Sequence, residues 1–297
     1  MIPSSFDYVA PSSLDEAIAV LGEHAGDAKV LSGGQSLIPM LKLRLAAPTV
    51  LVDINRIPGL DYIEERDGAL HIGALAREHD LEASAVVRAK YPILLDTARV
   101  IADPIVRNSA TVCGNVAHGD PGNDHPATMI ALGASFVARG PNGTRSIPAR
   151  EFFQGLFTTA LSEDEIVTEI VIPAPPPRSG GAYFKLERKV GDYATAAVAV
   201  QLTLDAGNRS TRVGIGLTNV GSTPIAATEA EAFLVNKALD DGTIGQAAKL
   251  AADAADPFED RRGSADYKRD VIRVLTARAI RLAVQRAQGT APTAGRA

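Results

Sequence analysis

Two glycine-bearing segments, far apart in the chain, carry the residue types that could hold a phosphate group. The first is 30–39, VLSGGQSLIP, where an apolar run ends at a pair of glycines. The second is 101–126, IADPIVRNSATVCGNVAHGDPGNDHP, which is rich in glycine, proline and small polar residues. Glycine has no Cβ, so successive backbone N–H groups can turn toward one anion. The two segments together indicate a diphosphate-containing ligand.

The first segment has the order strand, glycine turn and helix start, and a strand at 50–54 follows it. This order predicts a βαβ unit with the turn at its carboxyl end, the edge at which open parallel sheets bind ligands. A helix N-terminus at that edge would add unpaired N–H groups for an anion. The segment matches neither GxGxxG nor a P-loop. The second segment, taken alone, also fits an ordinary surface loop.

Composition narrows the class of protein. The chain has 297 residues, of which 46% are hydrophobic and 22% charged, a globular balance with room for two or three domains. A net charge of −5 argues against nucleic-acid binding, which normally requires a basic surface. The N-terminus lacks the pattern of a secretory leader, and no apolar run is long enough to span a membrane. We therefore predict a cytoplasmic protein.

The chain contains one cysteine, Cys113. A single thiol cannot hold an iron–sulfur cluster, a structural zinc or an internal disulfide. His118 and His125, with Asp120 and Asp124 between and beside them, match no common spacing of metal ligands. We therefore predict no metal in this chain. If the chain carries electrons, a flavin is the expected carrier, and any metal centre belongs to another polypeptide.

Periodicity and turn residues predict three successive domains, with the clearest boundary at the PAPPP and SGG runs after 172. The predicted domains are an N-terminal βαβ subdomain at 1–57, a middle subdomain at 58–173, a C-terminal domain at 178–288 and a mobile tail at 289–297. The predicted helices are 13–24, a short helix broken or bent near Pro39, 77–83, 86–101, 125–133, 225–239, 243–254 and 265–288. The predicted strands are 28–31, 50–54, 61–64, 69–72, 135–139, 144–147, 165–172, 183–189, 194–204 and 211–217.

Five motifs in this order carry a family resemblance: SGGQSLIP, TVCGN, GDPGND, KLERKVGDYATAAVAV and IGLTNVGSTP. The chain resembles the FAD-binding (medium) subunits of molybdenum hydroxylases, above all those of aerobic carbon monoxide dehydrogenases, and it is similar to the related flavin domain of xanthine dehydrogenase. The resemblance covers nearly the whole chain. It implies an α+β protein with a PCMH-type (vanillyl-alcohol-oxidase-like) FAD-binding fold of two subdomains. A C-terminal domain with a three-stranded antiparallel sheet and a helix bundle would follow.

The resemblance also implies noncovalent FAD and the residues that contact it. These are Leu31, Ser32, Gly33, Gly34, Gln35, Ser36, Leu37, Ile38, Ile101, Thr111, Val112, Cys113, Gly114, Asn115, Asp124, Leu161, Lys185 and Tyr193. Each has a plainer interpretation: Thr111 and Asn115 could cap their own turn, and Asp124 could cap a helix. Ile101 and Leu161 could be core residues. Lys185 and Tyr193, implied to lie near the isoalloxazine, could form an amphipathic hairpin edge.

Cys113 stands where the family usually has the first glycine of Thr-Ile-Gly-Gly-Asn. Either the backbone at Cys113 does not require a positive φ, or the loop takes a slightly different path; because cysteine is small, we expect the former. A reactive thiolate near a helix end is the less favoured alternative.

The resemblance implies an oxidoreductase subunit with no catalytic acid, base or nucleophile of its own. A large molybdenum-binding subunit would oxidise the substrate, carbon monoxide in the favoured case, and 2Fe–2S clusters of a small subunit would pass electrons to this FAD. An external acceptor such as a quinone would receive them. The implied assembly is a dimer of heterotrimers, a heterohexamer, cytoplasmic and associated with the inner face of the membrane through partners. Alternatives are the flavin subunit of an aromatic heterocycle, aldehyde or xanthine hydroxylase, a self-contained flavin oxidase, and a flavin-free scaffold.

Overall fold

The computed structural model of the chain describes residues 2–291. It is a mixed protein of helices and strands, as predicted, and its three larger sheets follow one another along the sequence. Of the predicted tail 289–297, residues 292–297 lie outside the described part. Within residues 2–291, no helix combines the length and the apolar character needed to cross a membrane.

The first sheet has three parallel strands and contains the predicted βαβ unit. Its elements are β1 (Asp7–Val9), α1 (Leu14–Glu23), β2 (Ala28–Leu31), α2 (Leu37–Leu43) and β3 (Val50–Asp53). The strand order is β1-β3-β2, and β1 was not predicted because three residues show no clear periodicity. Ser13 caps α1 by accepting from the N–H of Glu16, and Ala17, Ile18 and Leu21 form its buried face.

The second sheet has five antiparallel strands in the order β4-β5-β10-β6-β7. Its strands are β4 (Ile63–Arg66), β5 (Ala69–Gly73), β6 (Ser135–Gly140), β7 (Gly143–Pro148) and β10 (Ile166–Pro173). The helices in this region are α3 (Glu78–Ala83), α4 (Ala85–Lys90), α5 (Pro92–Arg99), α6 (Pro104–Arg107), α7 (Val112–Ala117), α8 (Asp124–Leu132) and α9 (Ala149–Phe152). The short strands β8 (Phe153–Gly155) and β9 (Thr158–Thr159) form a separate two-stranded sheet. Asp67 and Gly68 both have positive φ, which forms the predicted tight hairpin between β4 and β5.

Two predictions in this region are wrong. The single helix predicted at 86–101 is two helices, α4 and α5, because Pro92 begins the second and proline disfavours a helical residue before it. The long loop predicted after 101 contains two short helices, α6 and α7. Each begins at a side-chain cap: Asp103 accepts from the N–H of Val106, and Thr111 accepts from the N–H of Gly114.

The third sheet has four antiparallel strands in sequence order, one more than predicted. Its elements and helices are β11 (Ser179–Glu187), β12 (Ala194–Leu204), β13 (Ser210–Thr218), β14 (Ile225–Ala226), α10 (Thr228–Leu234), α11 (Asp241–Asp253) and α12 (Ala265–Ala287). The helix predicted at 225–239 is therefore a two-residue strand followed by the shorter α10. Apolar side chains of the sheet, such as Val198 and Ile215, pack with Ile272 and Ile280 of α12 in one buried cluster.

Candidate functional site

A cleft of about 660 Å³ lies where segments from all three sheet regions meet. This volume is in the range of small-molecule and cofactor sites. The predicted FAD contacts that line the cleft are Leu31, Ser32, Gly33, Gly34, Gln35, Ser36, Leu37, Ile101, Thr111, Cys113, Gly114, Asn115, Asp124, Leu161, Lys185 and Tyr193. Two predicted contacts lie off it: Val112 is fully buried in the core, and Ile38 is 39% exposed.

The two glycine-bearing segments touch each other at this cleft. We call residues 31–38 the first loop and residues 108–115 the second loop. A Cβ on Gly33 would lie 2.5 Å from the carbonyl oxygen of Ser109 and 2.8 Å from the amide nitrogen of Thr111, so a glycine is needed for the loops to approach this closely. The hydroxyl oxygens of Ser32 and Thr111 are 3.1 Å apart, within hydrogen-bond distance.

Thr111 has a structural role as well as a place in the cleft. Its Oγ1 accepts from the N–H of Gly114 at 3.2 Å and caps α7, which is the plainer interpretation of this residue. A Cβ on Gly114 would lie 2.5 Å from that Oγ1 and 3.0 Å from the Oγ of Ser32. Because Gly114 has no Cβ, the Ser32 and Thr111 hydroxyls of the two loops can lie next to each other.

Asn115 supplies a polar atom for a ligand. Its carbonyl oxygen Oδ1 is buried and has no hydrogen-bond partner within residues 2–291, although the residue lines the cleft. A buried polar group without a partner costs free energy, so such groups are normally satisfied by protein, water or ligand. An unpaired acceptor oxygen fits a hydrogen-bond donor of a ligand, such as a hydroxyl or N–H group of FAD, whereas the glycines of the two loops leave backbone N–H groups for its diphosphate.

Cys113 is a buried structural residue. It lies in α7 without positive φ, as expected, and it is only 2% exposed. Its Sγ is 3.6 Å from the carbonyl oxygen of Ile72 and 3.5 Å from that of Gly73. Burial raises the pKa of the thiol, which argues against the reactive thiolate considered from the sequence.

Asp124 does not cap its helix, contrary to the plainer interpretation. Asn123 is the N-cap residue of α8, and the Asp124 carboxylate instead accepts from the Tyr183 hydroxyl at 2.6 Å and pairs with Lys185 Nζ at 2.9 Å. All three side chains are buried, and burial raises the pKa of Asp124 while Lys185 and Tyr183 oppose that rise. Burial and the nearby Asp124 also raise the pKa of Tyr183.

Lys185 is further fixed by the backbone that precedes the second loop. Its Nζ donates to the carbonyl oxygen of Val100 at 3.0 Å and lies 3.5 Å from Glu187 Oε2. Its side chain is 2% exposed, so it does not form the amphipathic edge considered from the sequence. Tyr183 was missed by the sequence analysis. The available signal was strand alternation, because residues 183 and 185 point to the same face of β11.

Tyr193 is an exposed residue of the cleft, at 47%. It ends the connection between β11 and β12, where Gly191 has φ of +81° and packs beside the carbonyl of Ala102. Ile101, at 7% exposure, and Leu161 add apolar surface to the same cleft. The cleft therefore has a polar end at the two loops and apolar and aromatic walls beside them.

The two histidines considered as metal ligands, His118 and His125, contact other protein side chains. His125 Nε2 lies 2.8 Å from Glu78 Oε2, and both side chains are fully buried. The His118 ring packs against Phe157, with 5.1 Å between the ring centroids. Across residues 2–291, no cluster of three or more histidine, cysteine or acidic residues is arranged to hold a metal ion.

Comparison with known proteins defines the class. Residues 4–175 match the family described as the FAD binding domain in molybdopterin dehydrogenase, and residues 181–283 match the CO dehydrogenase flavoprotein C-terminal domain. The chain therefore belongs to the family of FAD-binding flavoprotein subunits of molybdopterin dehydrogenases.

Carbon monoxide dehydrogenase medium chains are among the relatives of this chain. The chain is 47% identical to the carbon monoxide dehydrogenase medium chain of Hydrogenophaga pseudoflava, over 95% of this chain and 98% of the relative. It is 46% identical to that of Afipia carboxidovorans, over 97% and 100%. A solved structure of the Hydrogenophaga pseudoflava carbon monoxide dehydrogenase, lacking the Mo-pyranopterin moiety, matches with a TM-score of 0.94 and 48% identity over 96% of this chain and 99% of that one.

Proposed function

We propose that this chain is the flavin subunit of a molybdenum hydroxylase that oxidises carbon monoxide. The observation that carries the proposal is the contact between the two glycine-bearing loops at a single cleft, with Ser32 and Thr111 hydroxyls 3.1 Å apart. Near-full-length identity of 46–47% to carbon monoxide dehydrogenase medium chains supports the choice of substrate. FAD, when bound, supplies one- and two-electron chemistry that amino-acid side chains lack.

The protein supplies binding and orientation. The first and second loops would hold the diphosphate through backbone N–H groups, with Gly33 and Gly114 allowing close approach. Asp124 and Lys185, buried and paired at 2.9 Å, would fix polar atoms of the cofactor farther along the cleft. The Tyr193 ring would shield one flavin face and control access of the electron acceptor. Every residue of the implied contact set enters the proposal except Val112 and Ile38, which lie off the cleft.

The complete reaction requires iron–sulfur clusters, and this chain has too few cysteines to hold them, so the proposed assembly includes partner subunits. With one buried cysteine, the chain has no thiolates for iron–sulfur clusters, so 2Fe–2S clusters would belong to a small partner and molybdenum to a large one. The assembly would be a dimer of such heterotrimers. Electrons would leave through this subunit to an external acceptor such as a quinone, in the cytoplasm at the inner face of the membrane.

Cofactor extraction from the isolated complex tests the proposal. The chain, purified with its partner subunits from the organism's own cells, should release one FAD per copy without proteolysis and show flavin and iron–sulfur absorbance. Adding carbon monoxide should bleach the flavin absorbance, and adding a quinone should restore it. A complex without FAD would refute the flavin role, and flavin absorbance that is unchanged by carbon monoxide would refute the substrate.

A further inference from the structure

Two side chains outside the cleft join the backbones of the two loops. Asn55 Nδ2 donates to the carbonyl oxygen of Ser32 at 2.8 Å, and Arg77 Nη1 donates to the carbonyl oxygen of Ser109 at 2.5 Å. Arg77 Nη2 donates to Asn55 Oδ1 at 2.7 Å and completes the connection. We propose that Asn55 and Arg77 form a bracket that sets the spacing of the two FAD-binding loops. This inference rests on the proposed flavin role of those loops.

Asn55 is held in the orientation that the bracket requires. Asp53 Oδ1 accepts from the backbone N–H of Asn55 at 2.9 Å and from its Nδ2 at 2.6 Å. The other carboxylate oxygen of Asp53 accepts from the Tyr8 hydroxyl at 2.5 Å. The asparagine amide has two N–H donors and one carbonyl, so it can serve Asp53, Ser32 and Arg77 at once. The carboxyl end of the first sheet therefore orients one half of the bracket.

Arg77 is tied to the second loop by its backbone neighbours. The N–H of Glu78 donates to the carbonyl oxygen of Ala110 at 3.0 Å, and the N–H of Val112 donates to the carbonyl oxygen of Ala76 at 3.1 Å. The segment before α3 therefore fixes the second loop, and the Arg77 side chain extends that attachment to Asn55 and the first loop. A guanidinium can donate from two nitrogens in a fixed fork, whereas lysine donates from one point.

Neither side chain lines the cleft, so the bracket acts through the loops and its members are positioning residues. The bracket connects the loops from outside the site, independently of the Ser32–Thr111 hydroxyl contact within it. Loops that are already spaced for the diphosphate need less ordering when the cofactor binds, which strengthens binding. Loss of the bracket should weaken FAD binding without altering any group that touches FAD.

Titration of the deflavinated full-length chain with FAD, followed by flavin fluorescence, tests this role. Arg77→Met should raise the Kd for FAD about tenfold, and Arg77→Lys should restore little of it because the fork is lost. Arg88→Met is the matched control, since exposed Arg88 donates to the carbonyl of Glu82 and touches neither loop. A Kd for Arg77→Lys equal to that of the unchanged chain would overturn the bracket.

A double-mutant cycle tests whether the two residues act together. Either Asn55→Ala or Arg77→Met severs the same connection, so the double variant should bind FAD about as weakly as the single variants. Kd increases that multiply, to about a hundredfold in the double variant, would mean independent roles and would overturn the bracket.

Amide hydrogen exchange of the flavin-free chain gives a readout that does not depend on FAD. In Asn55→Ala, residues 31–38 and 108–115 should exchange faster, while α12 should be unchanged. If the unchanged chain binds no FAD, the proposed function is wrong, but the amide exchange rates still test whether Asn55 and Arg77 fix the spacing of the two loops. Equal exchange of both loops in Asn55→Ala and in the unchanged chain would overturn it.

Discussion

Gly33→Ala tests how closely the two loops must approach. The added Cβ would lie 2.5 Å from the Ser109 carbonyl oxygen, where ordinary contacts begin at 3.4 Å, so the loops must separate by about 0.9 Å. Gly33 has no positive φ, so the effect comes from this clash and not from backbone strain. Overpacking of this kind costs about 1–3 kcal/mol, and 1.4 kcal/mol corresponds to a factor of ten in Kd.

We therefore expect Gly33→Ala to raise the Kd for FAD by roughly ten- to a hundredfold, measured by fluorescence titration of the deflavinated chain. Gly245→Ala in α11 is the matched control, because its Cβ would meet nothing within 4 Å. That substitution should leave FAD binding unchanged and raise the melting temperature slightly, since alanine favours helices. Equal Kd values for the two variants would refute the loop contact as a determinant of FAD binding.

Three further substitutions or treatments follow from the site. Tyr183→Phe removes the hydroxyl that donates to buried Asp124 and should lower the free energy of unfolding by about 1–3 kcal/mol in urea denaturation; an unchanged value would contradict that bond. Tyr193→Ala removes the ring proposed to shield one flavin face and should retain FAD while changing the rate of flavin reoxidation by a quinone, and an unchanged rate would contradict the gating role. Cys113 should resist thiol reagents at pH 8 until the chain unfolds, since burial raises its pKa, and rapid labelling of the folded chain would contradict this.

Local periodicity and turn chemistry account for the elements that the sequence predicted correctly. Apolar runs marked β2 and β3, with the Gly33-Gly34 turn after the first, and the two strands are parallel neighbours with α2 between them. Asp67-Gly68 marked the hairpin between β4 and β5, because both residues adopt positive φ. The meeting of the two loops was predicted from the family resemblance together with their shared glycine chemistry. Periodicity alone does not bring such distant segments together.

The errors came from local signals that received too little weight. Pro92 marked the start of a new helix inside the predicted helix 86–101. Asp103 and Thr111, each able to accept from an N–H three residues later, marked the short helices α6 and α7 within the predicted loop. The segment was interpreted as a loop because of its glycine and proline content, and the two helix caps were not recognised.

Other parts of the site could not be predicted from local pattern. Asn55 is 22 residues from Arg77, and Arg77 is 32 residues from Ser109, so their hydrogen bonds depend on the tertiary fold. Tyr183 reaches Asp124 across 59 residues for the same reason. Hydrogen bonds between distant side chains have no period in the sequence, and only the folded chain identifies them.

The position of the FAD diphosphate in a crystal structure of the flavin-loaded protein is the most direct test of the central claim. We expect its phosphate oxygens to lie between the two loops, within hydrogen-bond distance of backbone N–H groups near Gly33 and Gly114, with the flavin ring directed toward Tyr193. A diphosphate bound elsewhere, or contacting only one of the two loops, would contradict the account.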